Sequence, residues 1–320
     1  MKSALRVLTI LMALLMVTTG CAEGLTDVTM AFCTWTGYAP MFIAQGNGYF
    51  EEAGLNMDIQ VIEDESTYAA LITTGNIDFL ATAQDPNIKM FANGAASRYV
   101  LAMDASCGAD GLVATADIAT QDDLAGTTLA LDKPASSFYF FLTALENGSS
   151  LSEADINVVD MGDTTEAGLA FMSGSVDAAI MWEPELSEAL EIEGAHALVT
   201  SADYPETIMD SLVVNTKFAE EHPEIVEAVA ECWYRAVDFL NENPDEAYAL
   251  MAAGFEEVTA EDIAADKEGL EFFGRDENAV LNDPATERSI FASSQDMADF
   301  WMEKGECDTN DIAEFFALVK

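Results

Sequence analysis

Residues 56–83, NMDIQVIEDESTYAALITTGNIDFLATA, and residues 155–182, DINVVDMGDTTEAGLAFMSGSVDAAIMW, are two versions of one phrase. At a constant offset of 99 residues, Met57, Ile59 and Asp64 fall on Ile156, Val158 and Asp163, and Gly75, Ile77 and Asp78 fall on Gly174, Val176 and Asp177. Each version reads as strand, Asp, helix, Gly, apolar residue, Asp, strand. Each Gly stands where a helix must end, a position best served by a residue that tolerates positive φ. Asp64 and Asp163 stand where helices begin and are read as N-caps, while Asp78 and Asp177 introduce buried strands. An internal repeat of this kind predicts two copies of one structural unit.

Working outward, TDVTMAFC (26–33) and the helical APMFIAQGNGYFEEAG (39–54) precede the first copy, and TTLALD (127–132) and SSFYFFLTALENG (136–148) precede the second. Each half therefore alternates β-α-β-α-β, which implies a parallel sheet with crossover helices. Two sheets mean two lobes, in keeping with a length of 320 residues, near the upper limit for a single core. SRYVLAMDASCGADGLVATAD (97–117) holds two strand-like runs separated by Gly108 to Gly111, and HALVTSADYPETIMDSLVVNTKF (196–218) holds two more, with Tyr204 to Asp210 between them. These read as two crossovers joining the lobes. From His222 onward the apolar spacing i, i+3, i+4, i+7 predicts helices without strands of their own, which must pack on an existing lobe. The expected architecture is α/β, with 1–20 as a signal peptide, 27–104 and 211–320 as lobe 1 carrying the C-terminal helices, and 105–210 as lobe 2.

Half of the residues are apolar and 22% charged, the composition of a globular chain. Twelve Lys and Arg stand against 58 Asp and Glu, a net charge of −46. A nucleic-acid partner is thereby excluded, because a duplex binder needs a basic face and the basic residues here are scattered singly. At the amino terminus, Lys2 and Arg6 precede the apolar run Val7 to Val17 and the small residues Thr18 to Gly20, the pattern of a secretory signal. That run is shorter than the roughly 20 apolar residues needed to span a bilayer. The order T-T-G-C resembles a bacterial lipobox, with Thr18 standing where Leu is usual, and implies a lipidated Cys21. The alternative is ordinary secretion with Cys21 removed or left as a thiol. Cys33, Cys107, Cys232 and Cys307 are widely spaced without a C-x-x-C, so no zinc site is signalled, and disulfides and free thiols both remain open.

Residues 34–55, TWTGYAPMFIAQGNGYFEEAGL, carry W-x-G-Y-x-P followed by G-Y-F-x-x-x-G-L; TGNIDF, DASCGADGLVA, LAG before TTLALD, FMSGSVDAAIMWEP, DSLVVNTKFAEEHPE and NENPDEA follow. This set resembles the nitrate/sulfonate/taurine/thiamine-precursor family of solute-binding proteins of ABC importers, over roughly residues 27–250. The resemblance implies a type II periplasmic binding protein fold: two α/β lobes joined by two strands, a ligand in the cleft, and the C-terminal helices in the same lobe as the N-terminal segment. It further implies a monomer that binds a small-molecule solute and docks on an importer permease, with no cofactor and with the lipid on Cys21 as its membrane contact.

Ligands of open parallel sheets bind beyond the carboxyl ends of the strands. Those ends carry Trp35, Gly37 and Tyr38, then Gln84 and Asp85, then Ser136, Ser137 and Phe138, then Trp182 and Glu183. An isolated Trp is as well placed in a core, but Trp35 and Trp182 occupy matching strand ends of the two halves. Ser136 and Ser137 open a helix whose free N–H groups suit an anion, or simply cap it. Asp210 matches a family position near the cleft, with a turn-forming Asp as the alternative. Aromatic rings for stacking or cation–π contact, Asp85, Glu183 and Asp210 for an amine, and amides near Ser136 for an acid group suit a small zwitterion or amino-heterocycle, taurine-like or aminopyrimidine, better than nitrate. A plain alkanesulfonate stays open, because amides and hydroxyls alone can hold it.

An enzyme of thiamine-pyrimidine or menaquinone synthesis type on a related fold would need a base or metal constellation. His196 and His222 are the two histidines of the chain and neither follows a strand end, so no catalytic residue and no metal ligand is assigned. A receptor lobe feeding a membrane sensor shares every feature of the binding-protein reading except its membrane partner.

Overall fold

The computed structural model describes residues 24–256 and 258–319. Within them lie the strands Thr26–Phe32 (β1), Leu55–Val61 (β2), Phe79–Ala83 (β3), Ser97–Ser106 (β4), Asp110–Ala114 (β5), Thr128–Leu131 (β6), Asn157–Asp160 (β7), Ala178–Trp182 (β8), His196–Thr200 (β9), Met209–Asn215 (β10) and Leu270–Phe272 (β11). They form two sheets, in the orders β11-β4-β10-β3-β1-β2 and β7-β6-β8-β5-β9. The signal segment and Cys21 fall outside the described residues.

The sequence repeat is a repeat of local chemistry. β1 pairs in parallel with β2 and β3, and β6 pairs in parallel with β7 and β8. Gly75 and Gly174 terminate equivalent helices at φ of 69° and 73°, a region an L side chain enters only with strain. Asp64 accepts from the Ser66 amide at 3.2 Å and Asp163 from the Glu166 amide at 3.1 Å, both at helix starts. Asp78 and Asp177 do the same work in both halves: each carboxylate accepts the backbone N–H of a first-strand threonine, Thr29 and Thr128, at 2.8 Å. Those two threonines are themselves 99 residues apart. The aspartates thus staple the third strand of each unit to the first.

Two expectations are corrected. The sheets are mixed rather than parallel, because β10 runs antiparallel between β3 and β4, and β5 runs antiparallel between β8 and β9. The routing of the chain requires it: β4 leaves the first sheet at the end where β8 of the second sheet finishes, so β5 enters there and runs back, pairing Asp110 with Trp182. β10 likewise returns to pair Asp210 with Ala83. The C-terminal region also contributes a strand, since β11 adds to β4 as an antiparallel edge.

The two crossovers touch. The Ser106 amide donates to the Ile208 carbonyl at 3.0 Å, and the Ser106 and Ser201 hydroxyls lie 2.7 Å apart. Helix Pro223–Glu242 buries Val229, Trp233, Ala236 and Leu240 in the core that also holds Phe32, Phe42 and Phe79 of the first sheet's unit. Helix Ile290–Lys304 reaches both sheets: Met297 and Ala298 join the first sheet's core with Tyr99, and Trp301 joins the second sheet's core beside Phe138, ring centroids 6.0 Å apart. Cys33, Cys107, Cys232 and Cys307 are free thiols. No helix among the described residues is long and apolar enough to cross a membrane.

The staples set a stability prediction. Asp78 is half-buried and also accepts from the Thr29 hydroxyl at 2.8 Å, so Asp78→Ala is expected to cost about 1.5–3 kcal/mol, the range for hydrogen bonds to a charged group. Asp177 is exposed, and Asp177→Ala is expected to cost about 0.5–1 kcal/mol. Chemical denaturation checks both values, and a cost for Asp177→Ala equal to or larger than that for Asp78→Ala would contradict the assignment.

Candidate functional site

The carboxyl end of β1 runs into the turn Thr36–Tyr38, which lies against both crossover strands. The Trp35 indole N–H donates to Asp210 Oδ2 at 3.0 Å and, more weakly, to Asp104 Oδ1 at 3.3 Å, and the Tyr38 hydroxyl donates to Asp210 Oδ1 at 2.7 Å. Asp104 belongs to β4 and Asp210 to β10. Burial and the neighbouring charge of Asp210 push Asp104 well above the usual carboxylate range. Asp210 is raised less, to about 6, because the Tyr38, Asp104 and Trp35 donors offset its burial. A Cβ on Gly37 would collide with the Asp104 carboxyl and with Trp35 Nε1, so glycine at 37 lets the turn close onto this pair.

Above the pair lies a narrow cavity between the carboxyl ends of the two sheets. Trp35 from the first sheet's unit meets Trp182 from the end of β8, ring centroids 6.1 Å apart at 64°. Tyr38, Ser136 and Asp210 also line the cavity. Of the residues picked from the sequence, the fold thus gathers Trp35, Tyr38, Ser136, Trp182 and Asp210, with Gly37 directly behind.

The others face elsewhere. Gln84 is fully buried, donating to the Ser294 hydroxyl at 2.8 Å and accepting from Ser211. Asp85, also buried, is pushed up to about 7 by desolvation, which Lys89 one turn on partly offsets. The Ser137 hydroxyl is buried without a hydrogen bond, and Phe138 packs on Trp301 beneath the Lys133 ammonium, 4.7 Å from the ring. Glu183 accepts from the Ser187 amide and hydroxyl at 3.0 and 2.9 Å, closing its own helix turn. Neither Ser136 nor Ser137 is an N-cap: that position is Ala135, and the two serines begin the helix itself. Asp210 is not in a turn but is the second residue of β10.

Sequence reading missed several cavity residues. Cys33, Glu65, Thr82, Asp110 and Ile208 line it as well. Asp104 and Asp110 were legible as an anomaly, two acids inside the apolar crossover run AMDASCGAD, and Glu65 as the neighbour of the repeat's N-cap. Burial and the nearby Asp132 push Glu65 up to about 8, though the Cys33 thiol donates to it. Burial pushes Asp110 up to about 7, partly offset by a hydrogen bond from Ser106. An adjoining opening, lined by Glu63, Asp132, Asp163 and Glu185, shares Cys33, Glu65 and Trp182 with the cavity, and neither space is lined by Lys or Arg. Among the described residues no group of three His, Cys, Asp or Glu could hold a metal ion. His222 stands apart, 3.8 Å from Glu224 at a helix start.

The raised carboxyls fix the sign of a pH dependence. In the folded protein Glu65, Asp110 and Asp210 hold protons at pH values where the unfolded chain has lost them, so stability falls as pH rises through the window from about 6 to 8. Thermal melts of ligand-free protein are expected to give a higher Tm at pH 5.5 than at pH 8, with the difference reduced in Glu65→Gln. A Tm that climbs toward pH 8 would contradict the burial of these acids in the free protein.

Known proteins share this architecture. A Bacillus subtilis protein whose name assigns it to aliphatic sulfonate binding is 28% identical over 270 residues, covering 82% of this chain and 77% of its own. The riboflavin-binding protein RibY of Chloroflexus aurantiacus is 25% identical over 259 residues, covering 76% and 70%. The crystal structure of the periplasmic aliphatic sulphonate binding protein SsuA from Escherichia coli superposes with a TM-score of 0.71 at 22% identity, covering 89% of this chain and 94% of that one. That likeness establishes the two-lobed periplasmic binding protein fold. The family model described as NMT1/THI5 like matches residues 35–247, a span that runs from the cavity's first indole through both crossovers, and the chain therefore belongs to the NMT1/THI5-like family.

Proposed function

We propose that the protein is the solute-binding component of an ABC importer, which captures a small nitrogen- or sulfur-containing organic solute, a taurine-like zwitterion, a sulfonate or an aminopyrimidine, between two lobes. The observation that carries this reading is the meeting of Trp35 and Trp182, one from each sheet's unit, over a cavity at the strand carboxyl ends. Lobe 1 comprises 27–104 and 211–320 and lobe 2 comprises 105–210, with the touching crossovers at Ser106 and Ser201 as the hinge. The sulfonate- and riboflavin-binding relatives support a binding role while differing in solute. A biosynthetic enzyme is disfavoured, because the carboxyls at the cavity stand with no histidine beside them and both histidines lie elsewhere.

Cys21, outside the described residues, is the proposed lipid anchor, holding a monomer at the outer face of the cytoplasmic membrane within reach of the permease. A solute shifts the open–closed equilibrium only by binding the closed form better.

Solute binding is expected to change tryptophan fluorescence and reduce the radius of gyration in solution scattering, with the fluorescence change diminished in Trp182→Phe. A solute bound by calorimetry that alters neither signal would contradict lobe closure. Cys21→Ala is expected to release the protein from the membrane fraction, and an unmodified amino-terminal peptide beginning after Cys21 would rule the anchor out.

A further inference from the structure

The cavity's charge is one-sided. Glu65, Asp110 and Asp210 line it, Asp104 stands behind Asp210, and no Lys or Arg lines it or the adjoining opening. Asp210 is satisfied by its Trp35 and Tyr38 donors. Asp110 is not: its side chain is 1% exposed, and Oδ2 is buried with no hydrogen-bond partner. A carboxylate removed from water with one oxygen unpaired is costly unless a cation arrives to meet it. The remaining walls fit a cation too. Trp35 and Trp182 present indole rings, whose negative faces attract ammonium and guanidinium-like groups. A sulfonate would have to settle among like charges, with few donors to offset the repulsion. A hydrated metal ion fits less well, since no three ligating side chains converge among the described residues and Ala83, Ile208 and the indoles are apolar.

We infer that Asp110, together with Asp210 and Glu65, receives a positively charged group of the solute, an organic ammonium or amidinium held against Trp35 and Trp182, and that the cleft rejects solutes whose charge is only negative. This inference rests on the solute-binding reading and narrows its substrate class. Binding should also expel protons, since Glu65, Asp110 and Asp210 are partly protonated in the free protein. Of the other groups facing them, Cys33, Tyr38 and Asp104 are held in their neutral forms by burial and the surrounding acids, while Asp132, pushed up to about 7, is partly protonated like Asp110.

Isothermal titration calorimetry of the full chain with ethylammonium, benzamidinium and ethanesulfonate tests this, in buffers of different ionisation enthalpy. The expected result is that at least one of the two cations binds with proton release and that ethanesulfonate does not bind. Asp110→Asn is expected to weaken the cation by roughly 30-fold or more. The same variant should melt no lower than the parent without ligand, because it removes a buried charge, so lost binding would not reflect misfolding. Ethanesulfonate binding with both cations silent would overturn the cation inference and leave the solute-binding role intact. Silence of all three, with no change in tryptophan fluorescence, would count against both. Cation binding unchanged in Asp110→Asn would overturn the role of Asp110.

Discussion

The Asp210 carboxylate holds together the parts that have to act together. It lies on the strand returning from the second lobe, accepts from Trp35 and Tyr38 of the turn after β1, and meets Asp104 on the strand that leaves for the second lobe. One buried acid therefore fixes the aromatic platform of the cavity and binds it to the crossover strands. Hydrogen bonds to a charged group contribute about 1.5–3 kcal/mol each, which offsets the desolvation of Asp210 and explains why it rises less than its partner. The closeness of this arrangement depends on the absence of a side chain at Gly37.

Around that hub the molecule distributes its few cations in a telling way. Arg235 lies 3.8 Å from the Tyr49 ring and pairs with Glu52, Lys89 lies 4.3 Å from the Trp301 ring, and Arg275 lies 4.7 Å from the Tyr234 ring and pairs with Glu231. All are committed outside the cavity. The strong excess of acids is solvated over most of the surface, where it costs little, but at the cavity it is enclosed, and there it shifts carboxyls toward neutrality. On the proposed reading, a positively charged solute that meets these acids in the closed form supplies the differential affinity that hinge closure requires.

Much of this was legible in the sequence, for reasons that differ by residue. The repeat could be read because most of its signals are local: Gly75 and Gly174 end helices and Asp64 and Asp163 cap them, whereas the bonds of Asp78 and Asp177 reach back 49 residues to the first strand of each unit. Trp35 and Trp182 could be read because a strand end in an α/β unit points to the cleft. The antiparallel insertion of β5 and β10 could not, because strand direction is set by where the chain re-enters a sheet. β11 is three residues long, too short for its Leu-Glu-Phe alternation to be read as a strand. Phe138 and Glu183 follow strand ends in sequence, yet the packing of Trp301 and the hydroxyl of Ser187 turn them aside. Asp110 stands out only as an acid inside the apolar crossover run, one of 58 acids in the chain, and its burial with an unpaired oxygen is visible only in the structure.

The central claim is that the cleft gathers buried acids, Asp110 with an unpaired oxygen among them, which a positively charged group of the natural solute meets as they lose their protons. The most direct measurement is mass spectrometry, under non-denaturing conditions, of the protein isolated with its bound solute, followed by release and identification of that solute. The account predicts a small organic molecule bearing an ammonium or amidinium group. A solute whose sole ionised group is a sulfonate, or inorganic nitrate, would contradict it.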